Sequence, residues 1–334
     1  MRRNTHDWIA RIFSVVTAGS VPAIAGCNES MLPRVADMKP AVDLARSTDL
    51  APAIDMGPAT EDMTPATDDL GPEGDMSLQT IRRPFLVGGS LRAAPAVHSE
   101  DWLKEFPPAE GLDVATRRAL AASWLKDALE EHASVAAFAR FSMMGLAVGA
   151  PPEIIAASQR ASLDEIRHAR VCFGLARRYG ASEAGPGGLA LDGAFTATTL
   201  SELAALTAQE GCVGETLGAL LAEEQARVAT DPWVKEALAG IAADERRHSE
   251  LAWRFTAWAC TAGGAPVVKR VGQAIAAAVA HTRAGVVRPL AVDAALWHAH
   301  GRLSCAESKA IGERGLVEIV LPALARLSAS RLAS

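Results

Sequence analysis

Apolar residues follow a helical period from about residue 113 onwards, and glycine or proline interrupts the pattern four times. The interruptions fall at 149–152, 180–188, 230–232 and 263–266. Because proline just after a break is typical of the first turn of a new helix, we expect four long helices. Their predicted ranges are about 114–148, 152–179, 197–229 and 232–261. The first and third connections between these helices are short, and the second is longer. This order predicts two antiparallel hairpins joined by a crossover, which form an all-α four-helix bundle over 113–262.

The segments on either side of the bundle have other patterns. Residues 263–334 continue with helical periods, which predicts accessory helices that cover the bundle. Residues 82–112 are moderately apolar and are expected to form an extended strap on its surface. Residues 28–81 repeat proline, alanine, aspartate, methionine and threonine without an apolar period, which predicts a disordered acidic linker.

The N-terminus has the order of features found in an export signal. Arg2 and Arg3 precede an apolar run at 12–24, and small residues lead directly to Cys27. This arrangement resembles the lipobox of bacterial lipoproteins, in which the cysteine is lipidated and becomes the new N-terminus. Residues 1–27 are therefore predicted to be a lipoprotein signal peptide, and the mature chain to be lipid-anchored to a membrane of the cell envelope. The alternative is an ordinary signal peptide with a chance cysteine.

Composition excludes several classes of protein. Alanine is abundant and aromatic residues make up only 5%, which favours close-packed helices over sheet. The net charge is −6 and no basic stripe stands out, so a nucleic-acid partner is not expected. The other cysteines are Cys172, Cys212, Cys260 and Cys305. They form no CxxC pair, which argues against a zinc-ribbon or rubredoxin site, and we interpret most of them as small buried apolar residues.

The two predicted hairpins carry the same polar motif. Residues 164–168 read Asp-Glu-Ile-Arg-His, and residues 244–248, about 80 positions later, read Asp-Glu-Arg-Arg-His. At nearly the same offset, Glu131 in the first helix matches Glu210 in the third. Each hairpin therefore offers one glutamate and then Glu-x-x-His, whose carboxylate and imidazole share one helix face.

Helix geometry brings these six side chains to one height. With a rise of about 1.5 Å per residue, Glu131 lies roughly 28 Å before the first hairpin turn. Glu165 and His168 lie roughly 22 and 27 Å after that turn. The second hairpin gives the same agreement between Glu210 and the pair Glu245 and His248. Each stripe is otherwise apolar, and a carboxylate there is costly unless it is paired or metal-bound.

Two further glutamates lie close to this set. Glu130 and Glu215 point away from the ligand stripes by about 100° and 140°, at 3.6 residues per turn. Glu131 and Glu210 are therefore the preferred ligands, and Glu215 is left open as an additional one. A single Glu-x-x-His is more often a salt-bridged surface pair, but its duplication inside apolar stripes favours a metal site.

Residues 114–261, with Glu131, Glu165-x-x-His168, Glu210 and Glu245-x-x-His248, resemble the ferritin-like di-iron proteins of the rubrerythrin and bacterioferritin kind. The resemblance implies two bound iron ions, with manganese as the alternative metal. It also implies that Glu165 and Glu245 bridge both ions. Glu131 with His168, and Glu210 with His248, are then the terminal ligands on one ion each.

Proteins of this kind have several functions, and features of this sequence argue against some of them. It has no cysteine-rich segment of the rubrerythrin type, and its one tyrosine lies roughly 20 Å along the helix from Glu165, which disfavours radical chemistry. We expect an envelope-anchored di-iron protein that reacts with oxygen or peroxide, as a ferroxidase or oxidase, with ferrous iron as a further partner. The alternative is a non-enzymatic metal-binding or scaffold lipoprotein. The substrate, the electron donor and the oligomeric state stay open.

Overall fold

The structure is a computed structural model that describes residues 2–18 and 83–332, apart from 183, 197 and 288. The described part is all-α, as the sequence predicts, and its strands have only two residues each. The predicted linker at 28–81 and the predicted lipidation site Cys27 lie outside the described residues.

The helices account for most of the described chain. They are α1 (Arg2–Ala18), α2 (Val114–Ala147), α3 (Pro152–Arg178), α4 (Leu200–Thr207), α5 (Thr216–Val228), α6 (Pro232–Ala284), α7 (Ala294–Ala299), α8 (Cys305–Gly315) and α9 (Leu321–Leu332). Two π-helical segments, Ala208–Glu215 and Leu316–Val320, connect α4 to α5 and α8 to α9. The strands β1 (Leu86–Val87) and β2 (Ser90–Leu91) pair antiparallel, as do β3 (Ala96–Val97) and β4 (Gly185–Pro186).

The first hairpin consists of α2 and α3. The side chain of Asp113 caps α2 by accepting a hydrogen bond from the backbone N–H of Thr116, and Pro152 opens α3 at its first position. Close to the hairpin turn, Ser142 Oγ donates to Ser158 Oγ at 2.8 Å. The helix bounds agree closely with the predicted ranges, because the capping and turn residues were visible in the sequence.

The second hairpin is built from α4, the π segment Ala208–Glu215 and α5, which together pack antiparallel to α6. A capping box between Thr199 and Glu202 opens α4, and Asp231 caps α6. The predicted break at 263–266 is present as a kink, since Gly264 has φ 62° and ψ −154°. The helix resumes directly after the kink, so α6 continues to Ala284 as an accessory helix.

The strap lies along the surface of the bundle. Ser134 Oγ donates to the carbonyl of Arg83 at 2.8 Å, and the N–H of Lys104 donates to the carbonyl of Arg170 at 3.0 Å. The carbonyl of Lys104 comes so close to Gly174 that any Cβ there would collide with it. The strap therefore rests directly on the backbone of α3.

The N-terminal helix α1 packs against α6 and α9. Trp8, Ile12 and Val16 are fully buried, and the indole of Trp8 donates to the carbonyl of Arg246 at 3.2 Å. The signal peptide predicted for 1–27 stays a prediction, and its described residues form a helix of the packed structure. None of the helices in the described ranges has the length and apolar character needed to cross a membrane.

Candidate metal centre

The two Glu-x-x-His motifs face each other in the middle of the bundle. Glu165 and His168 lie on α3, Glu245 and His248 lie on α6, and each is at most 2% exposed. Because α3 and α6 run antiparallel and each motif spans less than one helical turn, the two motifs meet at one level.

The two motif carboxylates lie between the two imidazoles. The Oε1 and Oε2 atoms of Glu165 lie 3.0 Å from His248 Nδ1 and 3.7 Å from His168 Nδ1, respectively. The Oε1 and Oε2 atoms of Glu245 lie 3.7 Å from His168 Nδ1 and 3.6 Å from His248 Nδ1. Each carboxylate therefore presents one oxygen to each half of the site.

Two further glutamates complete the cluster. Glu131, on α2, has its Oε2 atom 3.8 Å from His168 Nδ1. Glu215, at the end of the π segment, joins Glu245 and His248. The ligand atoms form two groups, each close enough to hold one metal ion: Glu131, Glu165, His168 and Glu245, and then Glu215, Glu245 and His248.

The structure places Glu210 differently from the sequence prediction. Its carboxylate is buried, lies 3.2 Å from Arg140 Nη2 and 3.9 Å from Arg83 Nε, and belongs to neither of the two groups. Glu215, which the prediction turned away by about 140°, takes the corresponding place in the cluster. The prediction assumed 3.6 residues per turn, whereas i→i+5 hydrogen bonding gives a wider turn and a smaller rotation per residue.

The sequence carried one sign of this irregularity. Gly211, directly after Glu210, lowers helix propensity inside an otherwise apolar helix, and such a glycine usually has a packing reason. A Cβ at Gly211 would lie 2.5 Å from the Cβ of Ala252 on α6. The glycine therefore allows α6 to approach the π segment closely.

A polar layer outside the cluster orients both histidines. His168 Nε2 donates to Asp244 at 3.0 Å, and His248 Nε2 donates to Asp164 at 3.2 Å, so each aspartate serves the histidine of the other helix. A carboxylate can only accept, so Nε2 carries a proton and Nδ1 is the ring nitrogen that faces the cluster. Both aspartates belong to the repeated sequence motif, but the motif alone does not indicate that they bind the histidines.

Two arginines complete this outer layer. Arg167 donates to Asp164 at 2.8 Å and also to Asp244, and Arg247 donates to Asp164 at 3.1 Å and also to Asp244. The layer has the same twofold arrangement as the cluster beneath it. In the sequence, this outer layer is indicated by the aspartate and the arginine that recur in both Glu-x-x-His motifs.

The unsatisfied atoms of the cluster fit a pair of cations. Several buried atoms have no hydrogen-bond partner among the described residues: Glu165 Oε2, His168 Nδ1, Glu215 Oε1, Glu245 Oε2 and His248 Nδ1. Buried polar atoms are normally bonded, so their convergence favours a bound ligand. The four glutamates of the two groups carry four negative charges when ionised, which two divalent cations balance. Mixed carboxylate and imidazole donors suit iron or manganese.

Without metal, the acids and imidazoles neutralise one another. Burial opposes the charge on His168, but Asp244 and Glu165 outweigh it and raise the pKa of the imidazole to about 9. Burial also opposes the charge on Glu165, but His168 and His248 lower its pKa to about 2. Burial and the nearby Glu245 raise the pKa of Glu215 well above its ordinary value. Protons therefore occupy the cluster when cations do not.

A surface pocket of about 620 Å³ opens beside the outer layer. His168 and Asp244 form part of its wall, together with Phe106 and Trp233. Tyr179, by contrast, is buried elsewhere and pairs with His300 Nδ1 at 2.8 Å.

Comparison of the chain with protein-family models, with curated proteins and with solved structures gave no match. The description of the site therefore rests on the sequence and the geometry of this chain.

Replacement of Glu215 tests the revised ligand set. Glu215→Ala removes a carboxylate from the smaller group and leaves the larger group intact, so metal binding should fall from two ions per chain to one. Metal analysis of the purified protein after loading measures this ratio. Glu130→Ala is the matched control, since Glu130 is partly buried, pairs with Lys126 and belongs to neither group of candidate ligands, so the ratio should stay unchanged. Two ions per chain in Glu215→Ala would exclude this glutamate as a ligand.

The raised pKa of His168 predicts that metal affinity depends on pH. An ion at Nδ1 must displace a proton as long as the pH lies below the imidazole pKa of about 9. Apparent affinity should therefore rise with pH from 6.5 to about 9, by about tenfold per pH unit for each proton displaced. Competition titrations against a chelator measure the slope. His132→Gln, a control outside the cluster, should keep the slope, and an affinity that stays flat over this range would contradict the prediction.

Proposed function

We propose that this chain is an envelope-anchored protein with a binuclear iron centre that reacts with oxygen or peroxide, as a ferroxidase or oxidase. The proposal joins the buried carboxylate and histidine cluster to the lipoprotein features of the N-terminus. Manganese is the alternative metal, because the same donor set accommodates it.

The observation that supports a binuclear centre most directly is the position of Glu165 and Glu245. Each presents its two oxygens to two different imidazoles, and the ring centroids of these imidazoles are 6.0 Å apart. A site for a single ion needs donors that converge on one point, whereas this arrangement has two points of convergence. In two-metal sites the ions lie about 3.5–4 Å apart, which suits carboxylates shared in this way.

The surrounding residues hold the cluster in one geometry. Asp164 and Asp244 set the tautomer of the histidines, and each links α3 to α6. Burial opposes the charge on both aspartates, but His168, Arg167 and Arg247 lower the pKa of Asp244, and His248 and Arg167 lower that of Asp164. Bound iron would supply one-electron redox chemistry and a place for oxygen or peroxide to react.

Membrane anchoring rests on sequence features alone. The positive start, the apolar run and the small residues before Cys27 support processing at this cysteine. One acyl chain binds a membrane only weakly, so stable anchoring requires the several chains of a lipoprotein. Processing at Cys27 would also remove α1, which packs on α6 and α9.

Iron loading followed by exposure to oxygen tests the enzymatic part of the proposal. Wild-type protein should bind two ferrous ions per chain and then consume oxygen or peroxide, as followed with an oxygen electrode and a peroxide assay. The double variant Glu165→Ala and Glu245→Ala loses both shared carboxylates and should neither load nor react. Its matched control replaces Glu153 and Glu236, which are exposed on the same two helices.

The outcomes of this experiment separate the alternatives. A wild-type protein that holds two ions but consumes neither oxidant supports the non-enzymatic metal-binding alternative. Wild-type protein that retains no iron or manganese contradicts the proposed function as a whole.

Replacement of the predicted lipidation site tests the anchoring. In a bacterial host, the wild-type protein should partition with membranes and begin at Cys27, whereas Cys27→Ser should be released or remain an unprocessed precursor. Cys305→Ser is the control and should behave like the wild type. Fractionation and analysis of the mature N-terminus give the result. A mature wild-type chain that keeps residues 2–18 would contradict the lipoprotein prediction.

A further inference from the structure

Glu210 belongs to a second buried ionic cluster next to the metal centre. Its carboxylate lies between Arg140 from α2 and Arg83 from the strap, at 3.2 and 3.9 Å. All three side chains are at most 5% exposed. A carboxylate buried this deeply is costly unless it is paired, so the arginines determine where Glu210 can lie. We call the two arginines, Arg83 and Arg140, the arginine clamp.

Aromatic rings hold both arginines in place. The guanidinium carbon of Arg83 lies 4.4 Å from the ring centroid of Phe138 and 5.0 Å from that of Phe141. The guanidinium carbon of Arg140 lies 4.7 Å from the ring centroid of Phe85, which is also part of the strap. Cation–π contacts of this kind are stronger when desolvated, so the clamp is a rigid partner for Glu210.

Glu210 and Glu215 lie on the same π segment, five residues apart. The π-helix is rare and appears mostly as short bulges, so tertiary contacts must stabilise this one. On one side, Gly211 lets α6 approach, and Cys212 Sγ lies 3.3 Å from Thr256 Oγ1. On the other side, the clamp holds Glu210. A return to α-helical winding would rotate Glu215 by a different angle from Glu210 and turn it out of the metal cluster.

We infer that the arginine clamp is a positioning device, which keeps the π segment wound so that Glu215 reaches the second metal ion. The strap is then a functional part of the site, because Arg83 and Phe85 both belong to it. This inference rests on the proposed binuclear centre and adds to it a role for residues that bind no metal. Arg83 and Arg140 act through Glu210 and are positioning residues.

The test is a titration of the full protein with cobalt(II), in which the visible absorption of the bound cobalt reports two binding steps. The group around His168 contains four donor residues and the group around His248 contains three, so the two ions should bind with different affinities. Arg83→Met removes one guanidinium and should weaken only the second step, by about 10- to 100-fold, as loss of an outer-layer partner typically does. Arg92→Met, on the same strap, should leave both steps unchanged.

Arg140→Met removes the other arm of the clamp and should cause the same selective loss. It also provides the test where Arg83→Met does not yield a folded protein with wild-type helix content. Unchanged titrations in the folded variants, or equal weakening of both steps, would overturn the positioning role. Wild-type protein that binds fewer than two cobalt ions would instead contradict the proposed function, so the two failures are distinguishable.

Discussion

Charge neutrality in the apolar centre of the bundle is the constraint on which the rest of the structure depends. The four glutamates of the cluster are at most 2% exposed. Like charges buried this closely repel one another and lose their hydration. They persist only when protons or cations balance them, and protons on the imidazoles at the centre provide such balance. The buried glutamates are therefore better explained by a binding site than by packing of the bundle core.

The outer layer of aspartates and arginines also holds the two hairpins in register. Asp164 and Asp244 each bond the histidine of the opposite helix, so α3 and α6 are joined across the bundle by a symmetric pair of hydrogen bonds. Arginines on both helices compensate the aspartates. Rotation or sliding of one helix would break several charged contacts at once, and the donor atoms are held in one arrangement before any ion binds.

The two halves of the molecule differ where the third bundle helix widens into the π segment. In the first hairpin, Glu131 reaches the cluster from a regular α-helix, whereas in the second Glu215 does so from the end of the wide turn. Glu210, the counterpart of Glu131 in sequence, pairs with arginines instead. The duplication in the sequence is therefore closer than the duplication in the structure, and the two groups of candidate ligands differ in composition.

The sequence by itself determined the helices, their ends and the pairing of the two motifs. Apolar periodicity and capping residues are local signals, and the spacing of Glu165, His168, Glu245 and His248 is carried by helix geometry over short distances. Only the tertiary structure decided the choice between Glu210 and Glu215. That choice depends on a π-helical turn, where α6 comes close to Gly211 and Arg83 of the strap pairs with Glu210. Gly211 is the local sign of this turn in the sequence, whereas contacts with segments distant in the chain leave no local pattern.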